Sequence, residues 1–164
     1  MELPRRKPTR LKNFDYSSNG YYFVTICSHN RKNIFSKIVG QGLAPAETEL
    51  LPYGVVVQEQ LLALEKRFDG VRIDNYVIMP NHINAIVVID KNTAGASPCP
   101  TLSDIFCAFK SLTTRMCKAV YPIEKLFQNS FHDHIIRGER DYEKIWEYIE
   151  FNALKWQEDC FYNE

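Results

Sequence analysis

Tyr76-Val-Ile-Met-Pro-Asn-His-Ile-Asn-Ala-Ile-Val-Val-Ile-Asp90 holds two apolar, β-branched runs that meet at Met79-Pro80-Asn81. The corner is too short for a crossover, so the runs read as antiparallel strands over about residues 72–79 and 82–90 joined as a hairpin. Successive strand residues point to opposite faces. Ile83, Ala85, Val87 and Ile89 therefore share a wholly apolar face, which should pack on helices. The other face carries His82 and Asn84 before Ile86 and Val88. An imidazole nitrogen and an amide oxygen side by side are both able to bind a divalent cation, the amide more weakly. The alternative is a strand-end pair that hydrogen-bonds the hairpin corner.

The flanking sequence completes a fold around this hairpin. Tyr21–Ser28 is rich in aromatic and β-branched residues and reads as a first strand. Gly40, Gly42, Pro45 and Pro52 make residues 40–53 a long loop. Val57, Leu61, Leu64 and Phe68 recur at helical spacing and predict a helix over about 54–68, which Gly70 stops. After a loop at 91–100, Thr101 caps a second helix, with Asp104 three residues on as a weaker capping box. Its apolar stripe is Ile105, Phe109, Leu112, Met116 and Val120. Phe131–Arg137 gives a fourth strand, and a last helix runs from about Asp141 to Asp159 with Ile145, Ile149, Ala153, Trp156 and Cys160 on one side. The order β-α-β-β-α-β-α is that of an α+β, ferredoxin-like antiparallel sheet with an appended C-terminal helix. In that plan one sheet face is open, and the last helix and a ligand are the candidates to cover it.

With 164 residues, 45% hydrophobic and 24% charged, the chain fits one globular domain, 1–164, led by a basic arm at about 1–14. Residues 1–40 hold eight Lys and Arg against two Asp and Glu, whereas the remainder holds twelve against eighteen. Arg5, Arg6, Lys7, Arg10 and Lys12 form the arm, read either as a phosphate contact or as a solvated tail. Cys27, Cys99, Cys107, Cys117 and Cys160 show no paired spacing and are odd in number, which argues against a disulfide framework and fits a reducing cytoplasm. No apolar run approaches the ~18 residues of a membrane span, and the N-terminus lacks the apolar segment of a secretory signal.

Other polar groups are candidates for chemistry. On the last helix Tyr148, Asn152 and Lys155 fall at i, i+4 and i+7, beside the apolar stripe. The tyrosine is either an oxygen nucleophile or a packed ring. His132 and His134 make a second alternating pair around Asp133, either near the site, in contact with DNA, or simply a polar strand end. Lys110, Thr114 and Lys118, with Arg115 nearby, line one side of the second helix. No Gly-rich phosphate loop, Ser-His-Asp set or carboxylate pair is visible. A ferredoxin-like RNA-binding module, stacking bases on Tyr21 and Phe23, is the third class considered, and its aromatic signature string is absent.

The string Tyr76–Asn84 resembles the Met-Pro-Asn-His-hydrophobic-His signature of the HUH superfamily of single-strand endonucleases, and the chain as a whole is similar to REP-associated tyrosine transposases and small insertion-sequence transposases. The similarity extends to Arg5–Leu11 followed by Tyr21–Cys27, to Phe109–Arg115, to Phe131–Arg137 and to Trp146–Asn152. It implies that Tyr148 is the nucleophile and that His82, Asn152 and Asn84 hold a metal, Mg²⁺ or Mn²⁺, Asn84 standing where the second histidine belongs and Ala153 where the motif has proline. It further implies single-stranded or hairpin DNA as partner, with Arg5, Arg6, Lys7, Arg10, Lys12, Lys110 and Arg115 as DNA contacts. Lys155, His132 and His134 are then placed near the site, in a monomer or a tyrosine-sharing homodimer. The implied reaction is strand cleavage and rejoining through a 5′-phosphotyrosine. The second expectation is a catalytically weakened DNA-binding protein of transposase ancestry, because of Asn84.

Overall fold

The computed structural model describes residues 14–40, 46–92 and 100–163. Arg5, Arg6, Lys7, Arg10 and Lys12, expected to contact DNA, lie outside the described residues.

Strands β1 (Gly20–Cys27), β4 (Val71–Ile78), β5 (His82–Ile89) and β6 (His132–Ile136) form one antiparallel sheet in the order β4-β5-β1-β6. With helices α1 (Pro52–Leu62), α2 (Leu64–Arg67) and α3 (Leu102–Val120) this is the ferredoxin-like α+β arrangement, and α4 (Glu139–Glu150) is appended to it. β2 (Ser36–Val39) and β3 (Glu47–Leu50) pair as a separate two-stranded ribbon. That ribbon corrects the reading of 40–53 as loop throughout. Its strands have only four residues each and β3 alternates Glu, Thr, Glu and Leu, so no apolar periodicity betrays it.

One sheet face makes the core. Tyr22, Val24 and Ile26 of β1 and Ile83, Ala85, Val87 and Ile89 of β5 pack with Val57, Leu61 and Leu64 below and with Ile105, Phe106 and Phe109 of α3. Pro52 sits in the first turn of α1, where its missing N–H costs nothing. The predicted 54–68 helix is broken at Ala63 into α1 and α2. Thr101 and Asp104 close a reciprocal capping box at the start of α3. The α3 stripe differs from the sequence reading: Leu102, Ile105, Phe106, Phe109, Thr113 and Cys117 are buried, whereas Met116 and Val120 are exposed. Thr113 turns inward because its hydroxyl donates to Phe109 O at 2.7 Å, which satisfies it within its own helix.

The second face lies under α4, which packs over β4 and β5. A β-bulge between Ile73 and Asn75 interrupts the β4–β5 register, and Asp74 there accepts a hydrogen bond from the Tyr142 hydroxyl. Asn75 Nδ2 donates to Glu150 at 3.2 Å, so α4 is tied to β4 at both ends. Tyr21 and Phe23 of β1 meet Tyr142 and Tyr148 edge-on at 5.5 and 6.0 Å. The helix stops at Glu150 rather than at Asp159, and the chain then runs through turns and a short 3₁₀ segment, Trp156–Glu158. This correction decides the site.

Candidate active site

Cross-strand register builds the first half of the site. Cys27 lies opposite His82 and Thr25 opposite Asn84, so Thr25 and Asn84 project from one sheet face. His82, Asn84 and Asn152 are buried, and Tyr148 is 39% exposed. The Tyr148 hydroxyl donates to Asp159 Oδ2 at 2.9 Å, and Asn152 Nδ2 donates to the same oxygen at 2.8 Å. Asn84 Nδ2 donates to Asn152 Oδ1 at 2.9 Å, and the Thr25 hydroxyl donates to Asn84 Oδ1 at 2.7 Å. The chain thus brings together His82, Asn84, Tyr148 and Asn152 and adds Asp159, which sequence reasoning missed. On an unbroken helix Asp159 would stand ~16 Å up the axis from Tyr148. Only the turn-back after Glu150 carries it to the phenol. Nothing in the local sequence marks this acid among the others of the C-terminal segment.

His82 is fixed from its other side. Asn81 Nδ2 donates to Phe161 O at 2.8 Å and to Asn163 Oδ1 at 2.9 Å, so its own oxygen is left to face His82 Nδ1, 2.9 Å away. That oxygen accepts only, so Nδ1 carries the proton and Nε2 the lone pair. Nε2 is buried with no hydrogen-bond partner. The ring lies under Phe161 and Trp156, with centroids 4.7 and 5.9 Å away. Burial pulls the imidazole down to about 4, opposed by the Asp159 charge and the Asn152 amide. Burial, and then the Asp159 carboxylate, push the Tyr148 phenol well above its ordinary value. At neutral pH the resting site holds a neutral imidazole and a protonated phenol.

A cleft of about 290 Å³ opens onto Tyr148, Asn152 and Asp159, with Lys144 and Lys155 at its edge. Lys155 is exposed there. His132 pairs with Thr25 across β1–β6 and so shares the site's sheet face, where it stays exposed. His134 does not join the site: its Nε2 bonds the Asp141 carboxylate at 2.8 Å, which also accepts from Arg137 N at the start of α4. Lys110, expected at DNA, instead places its ammonium on Gln128 O and Ser130 O at 2.7 and 2.8 Å and near the Phe127 and Phe131 rings. Arg115 is exposed on α3.

The donor chemistry suits a divalent cation in part. An oriented, buried imidazole lone pair is a ready ligand, and Asn152 Oδ1 accepts one bond from Asn84 and keeps a second lone pair. Asn84 turns an N–H, which cannot ligate, toward Asn152. Among the described residues no group of three or more His, Cys, Asp or Glu side chains is placed to hold a metal, and no helix is long and apolar enough to cross a membrane.

No protein-family model matches the chain. An uncharacterized protein of Haemophilus influenzae is 32% identical over 98% of this chain and 94% of its own length. The solved structure of a REP-associated tyrosine transposase bound to a REP hairpin superposes with a TM-score of 0.61 at 19% identity, over 94% of this chain and 74% of that one. A crystal structure of a Deinococcus radiodurans protein, provisionally described as a transposase, gives a TM-score of 0.50 at 16% identity over 86% and 96%. The chain therefore belongs to one family with the Haemophilus influenzae protein and has the fold of the REP-associated tyrosine transposase.

Proposed function

We propose that the protein is a tyrosine transposase that cleaves and rejoins single-stranded or hairpin DNA through a phosphotyrosine. The observation that carries this reading is the junction of the Tyr148 hydroxyl, the Asn152 amide and the Asp159 carboxylate at the cleft, close to the buried, unpartnered His82 lone pair. A packed tyrosine needs none of these partners. The relation in fold to a transposase solved with a REP hairpin supports the choice of substrate.

In the reaction the Tyr148 oxygen bonds to a backbone phosphorus, and the bond from that phosphorus to the 3′ oxygen of the preceding nucleotide breaks. The phenol proton leaves along the existing bond to Asp159 Oδ2 and passes to solvent, and the 3′ oxygen takes a proton from water. Attack by a second strand's 3′-hydroxyl reverses these steps, so rejoining needs no nucleotide cofactor. The Phe23 ring edge holds Tyr148 in place, and Asn152 orients the carboxylate. When bound, Mg²⁺ or Mn²⁺ would be held by His82 and Asn152 and would draw charge from the phosphate. Lys144, Lys155 and Arg115 are exposed cations available to flanking phosphates, joined in this reading by the basic residues of the N-terminal arm.

The test is incubation with labelled hairpin single-stranded DNA and Mn²⁺ or Mg²⁺, followed by denaturing gels. A covalent protein–DNA band is expected from the natural sequence and none from Tyr148→Phe. The second reading, DNA binding without turnover, is favoured by the donor orientation of Asn84. It predicts no band until Asn84→His is made. Failure to bind any hairpin or single strand overturns both.

A further inference from the structure

A second cleft, of about 790 Å³, opens between the β2–β3 ribbon and the chain that follows α4. Lys37 and Ile38 line it on the ribbon side, and Leu154, Trp156, Gln157 and Tyr162 on the other. Lys155 and Glu158 line both this cleft and the one that holds Tyr148, so the two adjoin. Asn33 and Leu51, in turn, line both it and a third cleft of about 230 Å³, bounded by Tyr53 and Tyr121. Three adjoining clefts thus make a track that includes Tyr148. Large apolar side chains are exposed along it: Leu154 at 65%, Phe151 at 49%, Tyr121 and Tyr162. Neighbouring rings fix two of them, Tyr162 edge-on to Trp156 at 5.4 Å and Tyr121 edge-on to Tyr53 at 5.7 Å.

We propose that this track holds the unpaired nucleotides next to the scissile phosphate, with bases against Phe151, Tyr162 and the Tyr53–Tyr121 pair and phosphates turned outward to solvent. The proposal rests on the reading of Tyr148 as the group that attacks DNA. A strand whose phosphate lies at Tyr148 must leave that cleft, and the adjoining one meets it with aromatic and apolar surface. Clefts in series suit an extended chain, whereas a compact ligand needs only one. The middle of the track is poor in free positive charge, because Lys37 is already paired with Glu49 at 2.9 Å and Glu158 adds a carboxylate. It therefore favours the flat, uncharged faces of bases over phosphates. The open sheet offers a competing path past Tyr21 and Phe23, but those rings are already engaged edge-on by Tyr142 and Tyr148.

The experiment is fluorescence anisotropy of labelled DNA hairpins with the full chain, in chelator so that no strand is cut. One hairpin is blunt, and others carry an unpaired tail of about ten thymidines on the 5′ or the 3′ end. A tail on one of the two ends is expected to raise affinity about tenfold over the blunt hairpin, as stacking of a few bases does. The same tail with its bases removed should raise it no more than about threefold, since only phosphates remain. Tyr162→Ala should lose most of the gain and Tyr162→Trp keep it, with blunt-hairpin affinity unchanged in both. No gain from either tail, or an equal gain from the abasic tail, would overturn the assignment. So would a ribonucleotide tail that binds about tenfold more tightly than the deoxyribonucleotide one, which would give the track to RNA. Photocrosslinking of the natural sequence to a tail carrying 5-iodouracil guards against a variant that does not fold. Crosslinks are expected at Tyr162, Phe151 or Tyr121, and crosslinks confined to Tyr21 and Phe23 would place the strand on the open sheet instead. The two ideas fail separately. A tail bound as described with no covalent DNA band in Mn²⁺ sinks the transposase reading and leaves the track. A band formed from a hairpin whose tail adds no affinity does the reverse.

Discussion

Asn84 Nδ2 donates to Asn152 Oδ1 at 2.9 Å, and the direction of that bond is set one residue further on, at Asp159. An ionised carboxylate only accepts, so Asn152 must present its N–H to Asp159 and its oxygen to Asn84. Asn84 must then give its N–H to Asn152 and keep its oxygen for Thr25. A single carboxylate therefore polarises a relay of three polar side chains running from α4's end into the middle of the sheet. Where a histidine in position 84 would offer a lone pair, this chain offers a donor.

The far end of the relay is Thr25, 6% exposed on β1. Thr25→Val keeps the shape and removes the hydroxyl, leaving a buried amide oxygen unpaired. The cost is expected to be ~1–3 kcal/mol, read as a lower midpoint in denaturant with unchanged slope. Thr25→Ser restores the donor and should recover most of the loss. Equal destabilisation by both variants would point to lost packing rather than the relay.

The protonation of His82 sets an acid limit. Its ordinary value is 6.5 and its folded value about 4, chiefly because burial disfavours the imidazolium. The unfolded chain binds the proton more readily, so this contribution to stability is complete above about pH 6.5 and is lost as pH falls through about 4. The amplitude is on the order of 3 kcal/mol at most. Stability measured by urea unfolding in chelator across this window should fall more steeply for the natural sequence than for His82→Gln. Parallel pH profiles would show that His82 does not titrate in this way.

The sheet was legible because its signals are local. The alternation from His82 to Ile89 separates a helix-facing side from a site-facing side, and the short Pro80-Asn81 corner forces antiparallel pairing. Tyr148 and His82 were legible as chemistry because a resemblance ran through both. Asp159 was not, since its place depends on where α4 ends. The period of Ile145, Ile149, Ala153 and Trp156 continues past Glu150 as though the helix did too. Ile149, Ala153 and Trp156 are all buried, but Ala153 reaches the interior from a turn and Trp156 from the short 3₁₀ segment rather than from α4. Periodicity reports burial, and it cannot distinguish a helix from successive turns that bury the same residues.

The rotation of the α3 stripe gives a direct comparison. Phe109 is fully buried against Phe106 and Phe127, while Met116 is 38% exposed. Phe109→Ala should cost ~3–5 kcal/mol through lost transfer energy and a cavity. Met116→Ala should stay within about 0.5 kcal/mol. Thermal melting of the two variants decides between the observed stripe and the one inferred from spacing, in which both residues are core.

Gly54, buried in the first turns of α1, marks where that helix touches the chain leading into β2. A Cβ added at Gly54 would fall on Phe35 O, a backbone atom that already accepts from Leu51 N at 2.9 Å. Phe35 is itself fully buried and its N–H donates to Pro80 O at 3.0 Å, so the carbonyl cannot step aside without loosening the corner that precedes His82. A helical glycine replaced by alanine ordinarily gains up to ~1 kcal/mol. Here the sign should reverse: Gly54→Ala is expected to lose stability by more than ~3 kcal/mol, as overpacking against immovable backbone does at its upper range. Chemical unfolding of Gly54→Ala checks this, and a neutral or stabilising result would mean that α1 does not approach Phe35 as closely as described.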